Sequence, residues 1–288
     1  MVPAPVAGAE PAHPVATGGL TMRSFRHSGK LGDIIYSLPA VRALGGGSYF
    51  VDHRTEYFQK PPLGEASAEM MTQLLRTQSY IHDAALYDGR LVTCDLDRFR
   101  DKAGGIHVFN FLRAQGNRFA GLLFGNAVEQ MRENIIPKIE VDLPQCHWDC
   151  VSLPGKANLE PWLSGISPKH IGDIVVCKTD RYPGQLDWRM LAPFARKTVF
   201  VGLELEHFAF CESRFPVEFY KATDFVDLAQ VIAAAKLFVA NQGFGLALAE
   251  AMSVPRVVEV FDESPNRILS TNAHDSLTRE IIEMHVSP

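Results

Sequence analysis

The stretch Leu237-Phe238-Val239-Ala240-Asn241-Gln242-Gly243-Phe244-Gly245-Leu246-Ala247-Leu248-Ala249-Glu250-Ala251-Met252 is an apolar run that breaks at a glycine turn and resumes at helical spacing. Residues 237–240 read as a strand buried on both faces, and 244–252 as a helix packed behind it. Just upstream, Asp224 stands where an N-cap is needed, and Phe225, Leu228, Ile232 and Ala235 fall on one face of another helix. Helix, strand, glycine turn and helix together make the unit of a parallel sheet covered on both sides. Further apolar runs at Ile174–Cys177, Thr198–Val201, 217–220 and 256–260 continue the pattern. Residues 173–270 are therefore expected to form a doubly wound α/β domain, whose ligands bind outside the carboxyl ends of the strands.

The first half carries the same alternation. A strand at 22–27 leads into Ser28-Gly29-Lys30-Leu31-Gly32-Asp33, after which Leu31, Ile34, Ile35, Leu38, Val41 and Leu44 recur at helical spacing. Pro39 lies inside that helix and is expected to kink or shorten it. Strands are expected at 48–51, Ile81–Leu86 and 106–109, with helices at 70–75 and 111–131, the latter broken at Gly116 or Gly125. Pro154, Gly155, Pro161, Gly165, Pro168 and Gly172 mark 152–172 as a linker. Two domains follow, 22–151 and 173–270, with a helix or tail at 271–288. Residues 1–21, rich in proline and glycine, read as a disordered leader, and Met22 is a candidate natural start.

Composition narrows the function classes. In 288 residues, 47% are hydrophobic and 21% charged, which is globular. A formal charge of −5 argues against nucleic-acid binding through bulk charge. No apolar run approaches the roughly 18 residues of a spanning helix. Five scattered cysteines make no disulfide framework, so a reducing compartment, the cytoplasm, is expected.

Two loops carry candidate chemistry. In the first, Ser28, Gly29, Lys30 and Gly32 offer backbone N–H groups and a cation at a helix start, without the spacing of a Walker A loop or a dinucleotide fingerprint. Asp33 falls in the first helical turn, where the dipole favours negative charge. Two readings stand for it, a helix cap and a functional carboxylate. In the second loop, Asn241, Gln242, Gly243, Phe244 and Gly245 suit a diphosphate held on N–H groups without metal, or simply a tight turn. Glu250, two turns on, either reaches a ribose or is solvated. Lys178 and Arg181 follow the strand Ile174–Cys177 and are phosphate cations or surface charges. Glu259 and Asp262 follow the last strand, as hydroxyl ligands or turn residues. Cys146-His147-Trp148-Asp149-Cys150 lacks the second ligand pair of a zinc site. The alternating charges of 94–101 read as a solvated face or as part of an acceptor cleft.

Taken together the loops resemble glycosyltransferase family 9, which includes the ADP-heptose:lipopolysaccharide heptosyltransferases. The resemblance rests on Gly32-Asp33-Ile34-Ile35, Pro39-Ala40-Val41-Arg42-Ala43-Leu44, Asp227-Leu228-Ala229, Leu237-Phe238-Val239-Ala240-Asn241 and Val254-Pro255. It implies an α/β fold of two Rossmann-like domains facing a central cleft (GT-B type), with the acceptor on the first domain and a nucleotide-diphosphate sugar on the second. It places Asp33 at the family's proposed catalytic base and implies no metal or other cofactor. Two departures fall on the donor side: the family's late Asp is Gln242 here, and its His is Ala247. The run from Gly243 to Met252 resembles instead a retaining glycosyltransferase group, in which the Glu at position 250 contacts the donor ribose. The resulting expectation is metal-independent, inverting sugar transfer to a hydroxyl acceptor on a glycan, a lipid-linked saccharide or a protein. A non-catalytic nucleotide-sugar-binding module and a nucleotide-sugar epimerase or hydrolase are the alternatives.

Overall fold

A computed structural model describes residues 22–56, 61–101, 142–182, 184–261 and 272–286. The expected leader at 1–21, strand at 106–109 and helix at 111–131, and Asp262, lie outside the described residues.

Two parallel sheets follow one another along the chain. The first contains β1 (Ser24–His27), β2 (Gly47–Val51), β3 (Ile81–Leu86) and β4 (Cys94–Asp95), in the order β3-β2-β1-β4. The second contains β5 (Ile174–Cys177), β6 (Thr198–Val201), β7 (Glu218–Tyr220), β8 (Leu237–Asn241), β9 (Arg256–Glu259) and β10 (Ala273–His274), in the order β10-β9-β8-β5-β6-β7. All pairings are parallel. Counted from its own first strand, the second sheet has the doubly wound order 3-2-1-4-5-6, and the first sheet begins the same way with 3-2-1-4. Strand order therefore reverses between β1 and β4, and again between β5 and β8. Those two switch points are where such sheets open a crevice.

Helices α1 (Leu31–Ala43), α2 (Glu65–Arg76), α3 (Leu143–Cys150), α4 (Glu204–Ser213), α5 (Phe225–Ala233), α6 (Phe244–Ala251) and α7 (Arg279–His285) cover the sheets. Burial of both faces of the second sheet explains why its strands read as unbroken apolar runs. Along β5, Val175 faces one core with Val201, Phe238 and Leu248, while Ile174 and Val176 face the other with Trp188, Phe210 and Ile282. The first of these cores also holds Phe25, Ile34, Leu38 and Tyr49, so it is continuous between the two sheets. The expected N-cap is present, with the Asp224 side chain accepting from Asp227 N–H at 2.8 Å.

Three expectations change. The 94–101 segment is more than a solvated face, because Cys94–Asp95 pairs with β1, and Leu96 and Phe99 are buried. Residues past 270 join the second unit: β10 extends its sheet and Ile282 of α7 enters its core. Pro39 does not shorten α1, which runs on to Ala43. Proline has no N–H for the carbonyl four residues back, Ile35. That carbonyl is taken by Trp162 Nε1 at 3.0 Å, reaching in from the linker. The backbone N–H groups of Trp162 and Leu163 donate in turn to the carbonyl of Ala251 at the end of α6, at 2.9 and 3.1 Å. One short strap thus satisfies the gap in α1 and an orphan carbonyl of α6. Trp162→Phe is expected to lower stability to urea by about 1–3 kcal/mol, because Ile35 O is left buried without a donor. Adding Pro39→Ala restores a helical N–H and is expected to recover part of the loss.

Candidate active site

The carboxyl ends of β5 and β8 open a cavity of about 330 Å³ at the second switch point, lined by Thr179, Asp180, Arg181, Tyr182, Glu206, Gln242, Gly243 and Phe244. Asn241, at the end of β8, shapes it from beneath. Its buried amide donates to the carbonyls of Thr179 at 2.6 Å and Tyr182 at 3.1 Å and accepts from Thr179 N–H at 2.9 Å. This fixes the loop after β5 against the loop after β8. Gly243 caps α6, whose first-turn N–H groups have no partner within the helix and so present positive potential at this end. Gly245 serves packing: a Cβ there would lie 3.0 Å from Cys177 Sγ and 3.1 Å from Phe238 Cζ, so a larger residue would press both side chains aside where α6 meets the sheet.

The charges at the cavity are mixed. Arg181 is exposed, with its guanidinium 5.0 Å from the centre of the Tyr182 ring. Lys178 is held instead by Glu259, Nζ to Oε2 at 2.7 Å, while Trp188 Nε1 donates to Oε1 at 2.9 Å. Of the two expected phosphate cations, Arg181 lines the cavity, while Lys178, paired with Glu259, is not among its lining residues. Glu259 is thereby a structural anchor, 2% exposed. Glu206 and Asp180 add carboxylates, and burial together with the Asp180 charge pushes the Glu206 carboxyl above its ordinary range. Carboxylates beside a cation and a helix N-terminus can accept from hydroxyl groups while an anion is held next to them. Glu206 lies in α4, which sequence periodicity did not single out; its signal was the Glu204-Leu205-Glu206 run after a strand and Gly202.

Gln242 lines the cavity, and its Oε1 accepts from Phe261 N–H at 2.9 Å. Glu250 points elsewhere. Its carboxylate accepts from Tyr36 Oη at 2.6 Å and pairs with Arg256 at 3.4 Å, all three buried between α1, α6 and β9. Glu250 therefore ties the two halves together and is not among the residues lining the cavity.

At the first switch point, Ser28 donates from N–H and Oγ to Asp97 at 2.9 and 2.6 Å, and Asp97 also pairs with Arg100 at 2.8 Å and Arg26 at 3.1 Å. By sequence alone, Asp97 is one member of the charged run 94–101. Gly29 is required by crowding, since a Cβ there would stand 2.3 Å from His27 Cε1 and 2.9 Å from Asp33 Cβ. Lys30 Nζ donates to Pro61 O at 2.5 Å. Asp33 is half-buried and accepts from Lys30 N–H at 3.2 Å, so it does cap the helix.

The two predicted loops meet. A Cβ at Gly32, in the first turn of α1, would lie 3.7 Å from Ala247 Cβ, in the first turn of α6. Asp33 thus follows directly on the residue through which the start of α1 packs against α6. Among the described residues, no cluster of three or more His, Cys, Asp or Glu is placed to hold a metal ion, and no helix is long and apolar enough to cross a membrane.

No family model matches the chain, and no curated protein matches it. Among solved structures, E. coli heptosyltransferase WaaC with ADP-2-deoxy-2-fluoro heptose is similar over 88% of this chain and 92% of its own, at 14% identity and a TM-score of 0.47. The glycosyl transferase family 9 structure from Veillonella parvula DSM 2008 is similar over 92% and 88%, at 14% identity and a TM-score of 0.49. E. coli ADP-heptose lps heptosyltransferase II covers 89% and 90%, at 13% identity and a TM-score of 0.45. At that identity and overlap the likenesses bear on no individual residue.

Proposed function

We propose that the chain transfers a sugar from a nucleotide-diphosphate donor to a hydroxyl acceptor, with inversion and without metal, using Asp33 as the base. The observation that supports this reading is the packing of Gly32, the residue before Asp33, against Ala247 of α6, the helix whose start borders the anion-suited cavity. The diphosphate would lie on the first-turn N–H groups of α6 and on Arg181, which stabilise the negative charge that grows on the leaving group. Asp180 and Glu206 would accept from donor hydroxyls. A hydroxyl entering from the first unit would give its proton to Asp33 as its oxygen attacks the anomeric carbon. The acceptor is a glycan, a lipid-linked saccharide or a protein, and the free thiols suit a cytoplasmic setting.

The test is calorimetric titration with a panel of nucleotide-diphosphate sugars, followed by measurement of nucleotide release with and without acceptor alcohols. The expected result is micromolar binding of one donor class, weakened about tenfold by Arg181→Ala, as suits loss of a charge-assisted contact. Nucleotide release should depend on acceptor. Binding without turnover would favour a binding module, and turnover without acceptor a hydrolase or epimerase.

A further inference from the structure

His27 ends β1 and His147 lies in α3; both side chains are fully buried, and their Nε2 atoms are 3.0 Å apart. The hydrogen-bond partners on the far side of each ring determine where the protons sit. Gly29 N–H donates to His27 Nδ1 at 2.7 Å, so that nitrogen carries a lone pair. Leu143 O, 2.8 Å from His147 Nδ1, can only accept, so that nitrogen carries the proton. With both rings neutral, His27 Nε2–H then donates to the bare Nε2 of His147. This chain of three bonds admits one pair of tautomers. An added proton would have to go on His27 Nδ1 or His147 Nε2, and each already faces an N–H.

The surroundings enforce neutrality. Phe99 stacks on His147 at 4.1 Å, and Arg100 and Arg26 add positive charge nearby; Asp97 Oδ1, 3.4 Å from His27 Nδ1, pulls the other way but is itself engaged by Arg100, Arg26 and Ser28. Burial, then the two arginines, holds the His27 imidazole well below its ordinary range, and burial with the His27 charge does the same to His147. Two imidazoles do not complete a metal site, and no third ligand joins them among the described residues.

The end of this chain of bonds is the loop of the candidate active site. Gly29 N–H is taken by His27, while the next N–H, that of Lys30, is taken by Asp33. The turn is gripped from both sides, and its geometry sets where the Asp33 carboxylate points. We propose that His27, held in register by His147, is a positioning residue that fixes the 29–33 turn and so aims Asp33. This rests on the reading of Asp33 as the base.

His147→Phe keeps the ring and its stacking on Phe99 but removes the acceptor for His27 Nε2–H. His147→Gln offers a side-chain oxygen in its place. In the phenylalanine variant kcat is expected to fall about 10²-fold, the scale of a misplacement near 1 Å, while donor KM stays within twofold, because the donor cavity lies on the other sheet. The glutamine variant should recover most of the loss. Amide hydrogen exchange at Gly29 should quicken at least tenfold in His147→Phe and not in His147→Gln, with the amides of α5 unchanged in both. Nitrogen-15 spectra of the wild-type imidazoles should show two neutral rings at pH 7, protonated at His27 Nε2 and at His147 Nδ1. Any other tautomer pair, unchanged Gly29 exchange in the phenylalanine variant, or unchanged kcat in an active enzyme overturns the proposal. If the wild type turns over no donor with any acceptor, the transferase reading fails by itself, and the exchange and imidazole measurements still decide whether the histidine pair fixes the turn.

Discussion

Replacing Asp33 with asparagine is expected to lower kcat by about 10²–10⁴-fold, the range associated with loss of a positioned general base. The structure makes this substitution more informative than alanine. Asp33 already has one duty, accepting from Lys30 N–H at the start of α1. An asparagine has the same shape and keeps a carbonyl oxygen for that N–H, so the cap survives while the basic carboxylate is lost. Stability should change by no more than about 1 kcal/mol, the worth of a charge at a helix N-terminus. Asp33→Ala removes both functions together. The measurement is the initial rate of nucleoside diphosphate release at saturating donor and acceptor, alongside thermal unfolding of each variant. An asparagine variant as active as wild type, with an alanine variant that is both inactive and unstable, would show that Asp33 only caps the helix.

The distinction matters because the sequence left both readings open, and capping and catalysis are compatible in space. A cap consumes one lone pair of a carboxylate that has several. The group remains half-buried in the first turn of α1, next to Gly32, which packs against α6.

What was legible in the sequence was whatever local chemistry determines. The strands Ile174–Cys177 and Thr198–Val201 read correctly to the residue because both faces are buried, which leaves an unbroken apolar run. Asp224 was legible because a cap is a relation between neighbours in sequence. Both glycine loops were found for the same reason. Relations between distant residues were not legible. Pro39 looked like a helix breaker, since nothing near it reveals that Trp162, far along the chain, supplies the missing donor. Glu250 read as a ribose ligand or a solvated carboxylate, since helical spacing gives its face but not that Tyr36 and Arg256 are its partners there. His147, between two cysteines, reads as no zinc ligand for want of a second ligand pair, and nothing near it in sequence reveals that its partner is a histidine at the end of the first strand.

Arg256→Met is expected to destabilise the protein by about 3–5 kcal/mol at pH 8, the cost of leaving a buried charge without its partner, and by clearly less at pH 5. Arg256 and Glu250 are 1% and 4% exposed, and Tyr36 Oη donates to the same carboxylate. Burial pushes the Glu250 carboxyl up to about 7, against the opposing pull of Arg256 and Tyr36. The sign follows from linkage. A carboxyl that titrates higher when folded contributes stability that is fully present below its unfolded value near 4.5 and is lost as pH rises through about 7. Over that interval the wild type should lose on the order of 3 kcal/mol through this group alone. His27 and His147 have the opposite sign: held low by burial, they withdraw stability as pH falls below 6.5. The raw pH dependence therefore mixes the two, and Glu250→Gln separates them. The amide keeps an acceptor for Tyr36 and never ionises, so its stability relative to wild type should rise between pH 5 and pH 8. In the Arg256→Met background the same Glu250→Gln change should remove the pH dependence of the loss. Urea unfolding at the two pH values reads all four proteins, and a loss from Arg256→Met that is equal at both would refute the argument. Because Tyr36 belongs to the helix that carries Asp33, and Glu250 to the helix that caps the cavity, ionisation of this one carboxyl loads the contact on which the candidate active site is built.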